Sequence, residues 1–416
     1  MAADPAHVTA DAGGLSPPQA PRPRTHWGFA LLLGALAMVS PFSIDTFFPS
    51  FHAITAEFHL TPWQMQQALT VYMVPLAFMS LIQGPLSDSV GRRPVIVFGL
   101  GVYSLASIGC VWAPSFGALL AFRVVQGMTA GVGTIVGRAV IRDLHEGPQA
   151  QRLMSLVVMI FAFAPAVAPI IGGWIHVTLG WRAVFAFMAM IGVTLSLASH
   201  RRLPETHPKS RRVRLHIGQL ARNARDVVRN REFLTLAVAM GANFAAIMTF
   251  IGAAPAVVVD HWHLRDTQFA WLVGPVIGGF VVGAWISGKL AGRMRGSTQA
   301  EIGFVTALAA ACLMLALQAL VTEPPVYLQQ ALLASMSLGV QLVSPVLSLR
   351  MLDLFPRARG AAASVQSFVQ ILISAMVFGQ LSPLLSGSLL RLAVGSLVAA
   401  LFAFALWRRA PLSSPA

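Results

Sequence analysis

The sequence predicts an all-α membrane protein in which twelve transmembrane helices form two bundles of six, with both termini in the cytoplasm. Of its 416 residues, 56% are hydrophobic and only 11% are charged, whereas a soluble domain carries about 25% charged residues. Twelve apolar stretches approach the roughly 20 residues that a helix needs to cross a bilayer. This composition excludes intrinsic disorder and an ordinary water-soluble enzyme.

The predicted spans follow a tail, residues 1–26, that is rich in Ala, Pro, His and Asp and that we expect to be disordered and cytoplasmic. The tail lacks the apolar region of a signal peptide. The spans are predicted at 27–49, 66–86, 95–113, 116–138, 153–178, 181–200, 233–259, 268–288, 301–321, 326–349, 361–385 and 388–407.

The distribution of basic residues predicts the orientation. If the N-terminal tail is cytoplasmic, 25 of the 29 Lys and Arg residues fall in cytoplasmic segments, three fall in outer loops, and Arg123 lies inside a span. Cytoplasmic loops of membrane proteins carry such an excess of positive charge. The net charge of +14 is therefore explained without nucleic acid, and we expect 408–416 to be a second cytoplasmic tail.

The longest polar segment, 201–232, divides the chain into an N-terminal bundle, 27–200, and a C-terminal bundle, 233–407. Leu215, Leu220, Val227 and Val228 recur among its ten basic residues. This pattern fits either an amphipathic helix on the membrane surface or a solvated basic linker.

Two loops point to an internal repeat. The loop after the second predicted span, 84–94, reads GPLSDSVGRRP, and the loop after the eighth, 288–295, reads GKLAGRMR. Gly91-Arg92 corresponds to Gly292-Arg293, and Lys289 takes the place of Asp88. Two equivalent halves fit a transporter whose bundles rock about a site near the middle of the membrane.

The first of these loops resembles the signature loop of the major facilitator superfamily. Further segments resemble the bicyclomycin/chloramphenicol resistance (Bcr/CflA) branch of its drug:proton antiporters: 43–49 (SIDTFFP), 122–127 (FRVVQG), 137–143 (GRAVIRD), 164–174 (APAVAPIIGGW), 180–185 (GWRAVF) and 203–206 (LPET). The resemblance is strong over 27–206. It implies the two-bundle fold, a small amphipathic substrate, coupling to protons and a place in the bacterial inner membrane.

The fifth span departs from the antiporter motif of the superfamily, which centres on Gly-Pro. Here Ala164-Pro165 and Ala168-Pro169 stand in its place, so this motif alone does not establish antiport. Proline interrupts helical hydrogen bonding, and we expect Pro165 and Pro169 to bend the span at a gating point.

Asp45 is the only acidic residue placed well inside a predicted span. A charge in the bilayer costs at least ~2.5 kcal/mol, so such a residue is a functional candidate. The alternative is that the span ends early and Asp45 caps it at the outer interface. The apolar residues that follow, 46–49, argue against that.

Arg123 is the only basic residue well inside a span. At 1.5 Å per residue, Arg123 and Asp45 both lie about 10 Å from the outer face, so the two could pair. If rocking moves Arg123 towards or away from Asp45, the proton affinity of Asp45 depends on which side is open. With Gln126 they form the candidate proton-coupling and substrate site. The alternative is a fixed structural ion pair.

A second candidate group lies at the cytoplasmic face: Gly84, Asp88, Gly91, Arg92, Arg138, Arg142 and Asp143. The start of the eleventh span also lies there, and a carboxylate near a helix N-terminus is stabilised by about 0.3–1 kcal/mol. The resemblance implies a latch between the halves in the outward-facing state. The alternative is topological anchoring alone.

Polar and aromatic residues inside spans are candidates to line the cavity: Tyr72, Asn243, Phe250, Trp271, Gln341, Gln366 and Gln370. Polar side chains also join transmembrane helices to one another, at about 0.6 kcal/mol each on average. Taken singly, each of these residues is expected to join helices rather than to line the cavity.

The residues predict transport driven by a gradient. The eleven histidines and two cysteines form no metal or catalytic pattern, so we expect no enzyme, no cofactor and no bound metal. One membrane-embedded acid in an apolar pocket suits export of a neutral or monocationic amphipathic drug in exchange for protons. The alternatives are a dedicated exporter or importer of one metabolite, and a non-transporting sensor or channel. We expect a monomer surrounded by lipid.

Overall fold

The computed structural model describes residues 27–145, 147–265 and 267–410. The predicted N-terminal tail, 1–26, and most of the predicted C-terminal tail lie outside the described residues. Within these described residues, twelve helices are long and apolar enough to cross a membrane, which confirms the predicted number of spans. We call the two faces cytoplasmic and outer according to the charge distribution.

Spans 1 to 12 have the following bounds: Trp27–Glu57, Pro62–Val90, Arg92–Val111, Phe116–Leu144, Arg152–Leu179, Trp181–Arg202, Arg231–Gly252, Ala270–Leu290, Gly296–Leu320, Val326–Asp353, Arg359–Leu385 and Leu389–Arg409. The fifth helix itself begins at Gly147.

Several spans are interrupted. Span 1 consists of a helix Trp27–Asp45, a 3-10 turn Phe48–Ser50 and a helix Phe51–Glu57. Span 4 divides into Phe116–Ala130 and Val132–Leu144. Span 11 contains Arg359–Met376, a π-helical segment Val377–Leu381 and a last turn Ser382–Leu385. A second π-helical segment, Ala256–His261, follows span 7.

Span 2 begins earlier than predicted because its N-terminus is capped. The Thr61 side chain accepts a hydrogen bond from the Gln64 backbone N–H at 3.2 Å, and the Gln64 side chain accepts one from the Thr61 backbone N–H at 2.8 Å. Pro62 occupies the first turn, where its missing N–H costs nothing. This reciprocal cap fixes the helix start at the outer face.

Three packing pairs recur in the two halves. In the N-terminal half, span 1 packs on span 5, span 2 on span 4 and span 3 on span 6. In the C-terminal half, span 7 packs on span 11, span 8 on span 10 and span 9 on span 12. Between the halves, span 2 packs on span 11 and span 5 on span 8. The predicted internal repeat is therefore visible in the helix arrangement.

Each repeat loop also contains a glycine with positive φ. Gly91 has φ of +114° and Gly292 has φ of +75°, values that side-chain-bearing residues rarely adopt. Each glycine lies just beyond the second span of its half. The two corresponding glycines thus occupy positions that favour glycine in both loops.

The segment between the halves contains a helix, Ile217–Arg229, which we call the linker helix. Val227 is buried, and it packs with Ala224 against a cluster that includes Phe233 of span 7 and Ala362 of span 11. Ile217 and Val228 are exposed. Part of its apolar surface therefore contacts the C-terminal half, and its contact with a membrane surface stays a prediction.

Candidate proton and substrate site

Asp45 is a buried carboxylate at an interruption of span 1. It is the last residue of the helix Trp27–Asp45, its exposed fraction is 9%, and span 1 continues beyond it to Glu57. Among the described residues, no group donates a hydrogen bond to it and no cation pairs with it. The helix thus ends at Asp45, as the alternative supposed, but the span continues for twelve residues beyond it; a functional role of Asp45 stays a prediction.

Arg123 is completely buried in span 4. Its guanidinium carbon lies 4.4 Å from the ring centroid of Tyr72 and 4.9 Å from that of Phe47. Its Nε donates to the Ala68 carbonyl at 3.2 Å, while its Nη2 is buried and has no hydrogen-bond partner among the described residues. Aromatic faces attract a cation most strongly where water is excluded.

The ion pair considered from the sequence is not formed in this conformation. Arg123 and Asp45 lie in the same half, but the Arg123 Nη1 donates to the Ser43 carbonyl at 3.3 Å and to the Gln126 Oε1 at 3.0 Å. The sequence placed Arg123 and Asp45 at the same depth in the membrane, but depth alone does not show that Ser43 and Gln126 compete with Asp45 for the guanidinium. A change in the distance between Arg123 and Asp45 during transport stays a prediction.

Arg123 belongs to a closed ring of buried hydrogen bonds that joins three spans. The Gln126 Nε2 donates to the Ser107 Oγ at 2.7 Å, and the Ser107 Oγ donates to the Tyr103 carbonyl at 2.8 Å. The Tyr103 hydroxyl bonds to the Ser43 Oγ, and the Ser43 carbonyl accepts from Arg123. We call Ser43, Tyr103, Ser107, Arg123 and Gln126 the polar ring.

Sequence reasoning found two members of the polar ring, Arg123 and Gln126, and missed the other three. A signal was present, because the chain has only three tyrosines: Tyr72 lies against Arg123, and Tyr103 belongs to the ring. Serines in apolar spans are too common to single out Ser43 and Ser107. Their hydrogen bonds reach other spans, and span neighbours are not given by periodicity.

Close packing of spans 2 and 4 brings Tyr72 against Arg123. A Cβ atom added at Gly127 would overlap the backbone carbonyl of Tyr72. The Tyr72 hydroxyl donates to the Ser40 carbonyl at 3.1 Å. Of the predicted cavity residues, Tyr72 is therefore part of the site around Arg123.

The C-terminal candidates do not converge on that site. No hydrogen bond or ring contact of the described residues joins them to Asp45 or Arg123. The Gln366 Nε2 donates to the Ser348 Oγ at 2.6 Å. Asn243 is buried, and neither atom of its amide has a partner in the described part of the chain. Trp271 is exposed near the outer end of span 8.

For three other predicted cavity residues, the described structure shows no hydrogen bond or ring contact to Asp45 or Arg123. Phe250 is buried near the outer end of span 7. Gln341 and Gln370 are half-buried in spans 10 and 11.

The predicted latch residues form a cluster around Arg92. Its guanidinium bonds to Asp88 at 2.6 Å, to Asp143 at 3.0 Å and to the Ser87 Oγ at 2.6 Å. Its backbone N–H donates to the Glu205 carboxylate at 3.0 Å. The cluster thus ties the signature loop to the end of span 4 and to the segment after span 6.

The other latch candidates take no part in those bonds. Arg138 and Arg142 are exposed, and a Cβ added at Gly84 would meet open space. The Asp88 carbonyl accepts a hydrogen bond from the Val213 N–H at 3.4 Å, so Asp88 faces the linker. A latch to span 11 stays a prediction for the outward-facing state.

Span 5 remains one helix through both prolines. The helix Gly147–Leu179 contains Pro165 and Pro169, and Ala164 and Ala168 pack against Phe42 of span 1. Alanine in place of the expected glycine therefore still permits close contact with span 1. A gating bend at these prolines stays a prediction.

Comparisons with known proteins agree with this arrangement. Residues 33–378 match the model of the Major Facilitator Superfamily. The chain is 30% identical to a bicyclomycin resistance protein homolog of Haemophilus influenzae over 274 residues, covering 66% of this chain and 69% of that protein. It is 34% identical to multidrug resistance protein D of Escherichia coli over 180 residues, covering 43% of this chain and 45% of that protein.

A solved structure shares the fold. It is a bacterial homologue of the human lysosomal transporter Spinster in an inward-facing and unoccupied conformation, with a TM-score of 0.69 and 16% identity, covering 93% of this chain and 98% of that chain. At this identity the likeness concerns the fold alone.

Proposed function

The chain belongs to the major facilitator superfamily, and we propose that it exports small amphipathic drugs in exchange for protons by alternating access. Members of this family are transporters, and the chain is a multi-pass membrane protein with twelve spans. The printed names of two relatives, a bicyclomycin resistance protein homolog and a multidrug resistance protein, support drugs as the substrate class.

The observation that carries the proposal is the unpaired, buried carboxylate of Asp45. An ionised group buried without a partner is costly and is relieved by a proton or by a cation. One carboxylate that accepts either one in turn is the simplest device for exchanging a proton against a substrate. Asp45 therefore serves as the proton and cation site in this proposal.

The surroundings of Asp45 suit hydrophobic substrates. Phe47 and Phe48 follow it in the chain and are buried, and Tyr72 lies beside Arg123. Aromatic faces bind hydrophobic and cationic groups. Arg123 modulates Asp45 in this proposal when substrate binding or rocking moves its guanidinium away from the Ser43 carbonyl.

The distribution of basic residues supports a location and an orientation in the membrane. Cytoplasmic loops rich in Arg and bacterial relatives support the bacterial inner membrane as the location, with both termini inside. The two halves contain equivalent helices, so a single chain supplies both sides of an alternating-access site. We therefore propose a functional monomer.

The test is drug-induced proton movement in inverted vesicles from an efflux-deficient bacterium. A pH-sensitive dye reports proton exit when amphipathic drugs are added. We expect a response with the wild type, none with Asp45→Asn, and an unchanged response with Asp353→Asn. The control removes an exposed carboxylate that pairs with Arg359 at 3.3 Å.

Other outcomes of this experiment discriminate between the alternatives. A response that Asp45→Asn retains would remove Asp45 as the proton carrier. Wild-type vesicles that respond to no drug would overturn drug export and favour a transporter dedicated to one metabolite.

A further inference from the structure

The outer ends of the two halves are joined through side-chain donors on one face of span 2. The Gln66 Nε2 donates to the Gly252 carbonyl of span 7 at 2.9 Å. The Gln67 Nε2 donates to the Gly379 carbonyl of span 11 at 3.0 Å. The Trp63 Nε1 donates to the Gln380 Oε1 at 3.1 Å. These three bonds cross between the halves at the outer face.

The two carbonyl acceptors lie where regular helical hydrogen bonding ends or changes. Gly252 is the last residue of the helix of span 7, and carbonyls in the last turn of a helix lack their regular partners. Gly379 lies inside the π-helical segment Val377–Leu381 of span 11, where the hydrogen-bond ladder shifts by one residue. Irregular backbone thus presents acceptors to span 2.

Span 11 approaches span 2 closely at this level. A Cβ atom added at Gly379 would overlap the Thr70 Oγ1, one turn below Gln67. The absence of a side chain at Gly379 therefore lets its carbonyl reach the Gln67 amide.

Because Gln66 is buried, losing its hydrogen bond is energetically costly. The exposed fraction of Gln66 is 6%. A buried amide donor that loses its acceptor keeps the free-energy cost of desolvation and gains no hydrogen bond to offset it. When the halves separate at the outer face, the Gln66 amide and the Gly252 carbonyl must both be taken up by water. Separation of the halves at this face would therefore require this hydrogen bond to break.

Two other side-chain contacts join the halves at this face. The Phe48 and Phe378 ring centroids lie 6.4 Å apart. His52 lies 3.5 Å from Asp260, with side-chain exposures of 48% and 55%, and exposed ion pairs contribute little. The two rings meet edge to face at an interplanar angle of 72°, a geometry that aromatic pairs prefer, but their contact contains no hydrogen bond.

We propose that Gln66 and Gln67 are the outer-gate residues of this transporter: their side-chain amides hold spans 7 and 11 against span 2 and set the balance between outer-closed and outer-open states. In the described part of the chain, neither residue has a hydrogen bond to Asp45 or to the polar ring. The proposal concerns the conformational step and does not depend on which substrate is carried.

The test measures the distribution of distances between two spin labels, one at the outer end of each half. Pro114→Cys, in the loop between spans 3 and 4, and Glu323→Cys, in the loop between spans 9 and 10, carry the labels after Cys110 and Cys312 are replaced by Ser. Gln66→Leu and Gln67→Leu are measured singly and together. We expect each to raise the ratio of outer-open to outer-closed molecules by about fivefold, the effect of one hydrogen bond.

Gln330→Leu is the matched control. The Gln330 Nε2 also donates to a backbone carbonyl, that of Trp271 at 2.8 Å, but both residues lie in the C-terminal half. We expect its distance distribution to match that of the wild type. The same distribution in the Gln66→Leu/Gln67→Leu double variant would overturn the proposal.

A second variant keeps the proposal testable if the leucine variants fail to fold. Gly379→Ala leaves both glutamines in place and pushes Thr70 away from span 11. We expect it to shift the distribution towards the outer-open state as well. If neither it nor any folded glutamine variant differs from Gln330→Leu, the proposal is wrong.

Discussion

The guanidinium of Arg123 and the carboxylate of Asp45 are both buried in the N-terminal half, yet they form no ion pair. Arg123 is held instead by the carbonyls of Ala68 and Ser43 and by Gln126. Each of the two opposite charges thus lacks a charged partner in the outer-closed conformation. A buried charge without a counter-charge is costly, and uptake of a proton or a cation by Asp45 is the relief that the proposed exchange assumes.

The polar ring allows two hydroxyl deletions to be compared. Tyr103→Phe removes a hydroxyl, but the Ser43 Oγ keeps its bond to the Val39 carbonyl at 2.7 Å. Ser107→Ala instead leaves the buried Gln126 amide without its acceptor. We expect Ser107→Ala to cost about 1–3 kcal/mol and Tyr103→Phe about 0.5–1.5 kcal/mol. Thermal unfolding of the purified variants measures the difference, and the reverse order would contradict the ring.

Gly127→Ala tests the contact between spans 2 and 4. The added Cβ would meet the backbone of Tyr72, which cannot move aside as a flexible side chain can. We expect a loss of about 1–3 kcal/mol, the usual cost of overpacking. Gly101→Ala in span 3 is the control, because a Cβ there meets open space and alanine favours a helix. Equal stability of the two variants would rule out the close contact.

Arg92→Lys tests the cytoplasmic cluster. Lysine keeps the charge but lacks the planar fork that lets Arg92 bond to Asp88, Asp143 and Ser87 together. We expect slower transport and lower thermal stability than in the wild type. Arg408→Lys, which alters an exposed pair with Glu301, is expected to have little effect on either measurement. Similar behaviour of the two variants would argue for topological anchoring alone.

The sequence predicted the features that depend on local pattern. Span number and the two halves follow from apolar runs, and Asp45 and Arg123 stand out because charges are rare in spans. The Ser107–Gln126 bond and the Gln66–Gly252 bond could not be predicted, since they join residues far apart in the chain. The π-helical segment Val377–Leu381 also leaves no mark in the apolar pattern of span 11.

The most direct test of the central claim, that Asp45 exchanges a proton for substrate, is proton release from the purified protein. A cationic amphipathic drug is added in weakly buffered detergent solution while a pH indicator is followed. The account predicts release of a proton from the wild type and from Asp353→Asn, and none from Asp45→Asn. Release from Asp45→Asn equal to that from the wild type would contradict it.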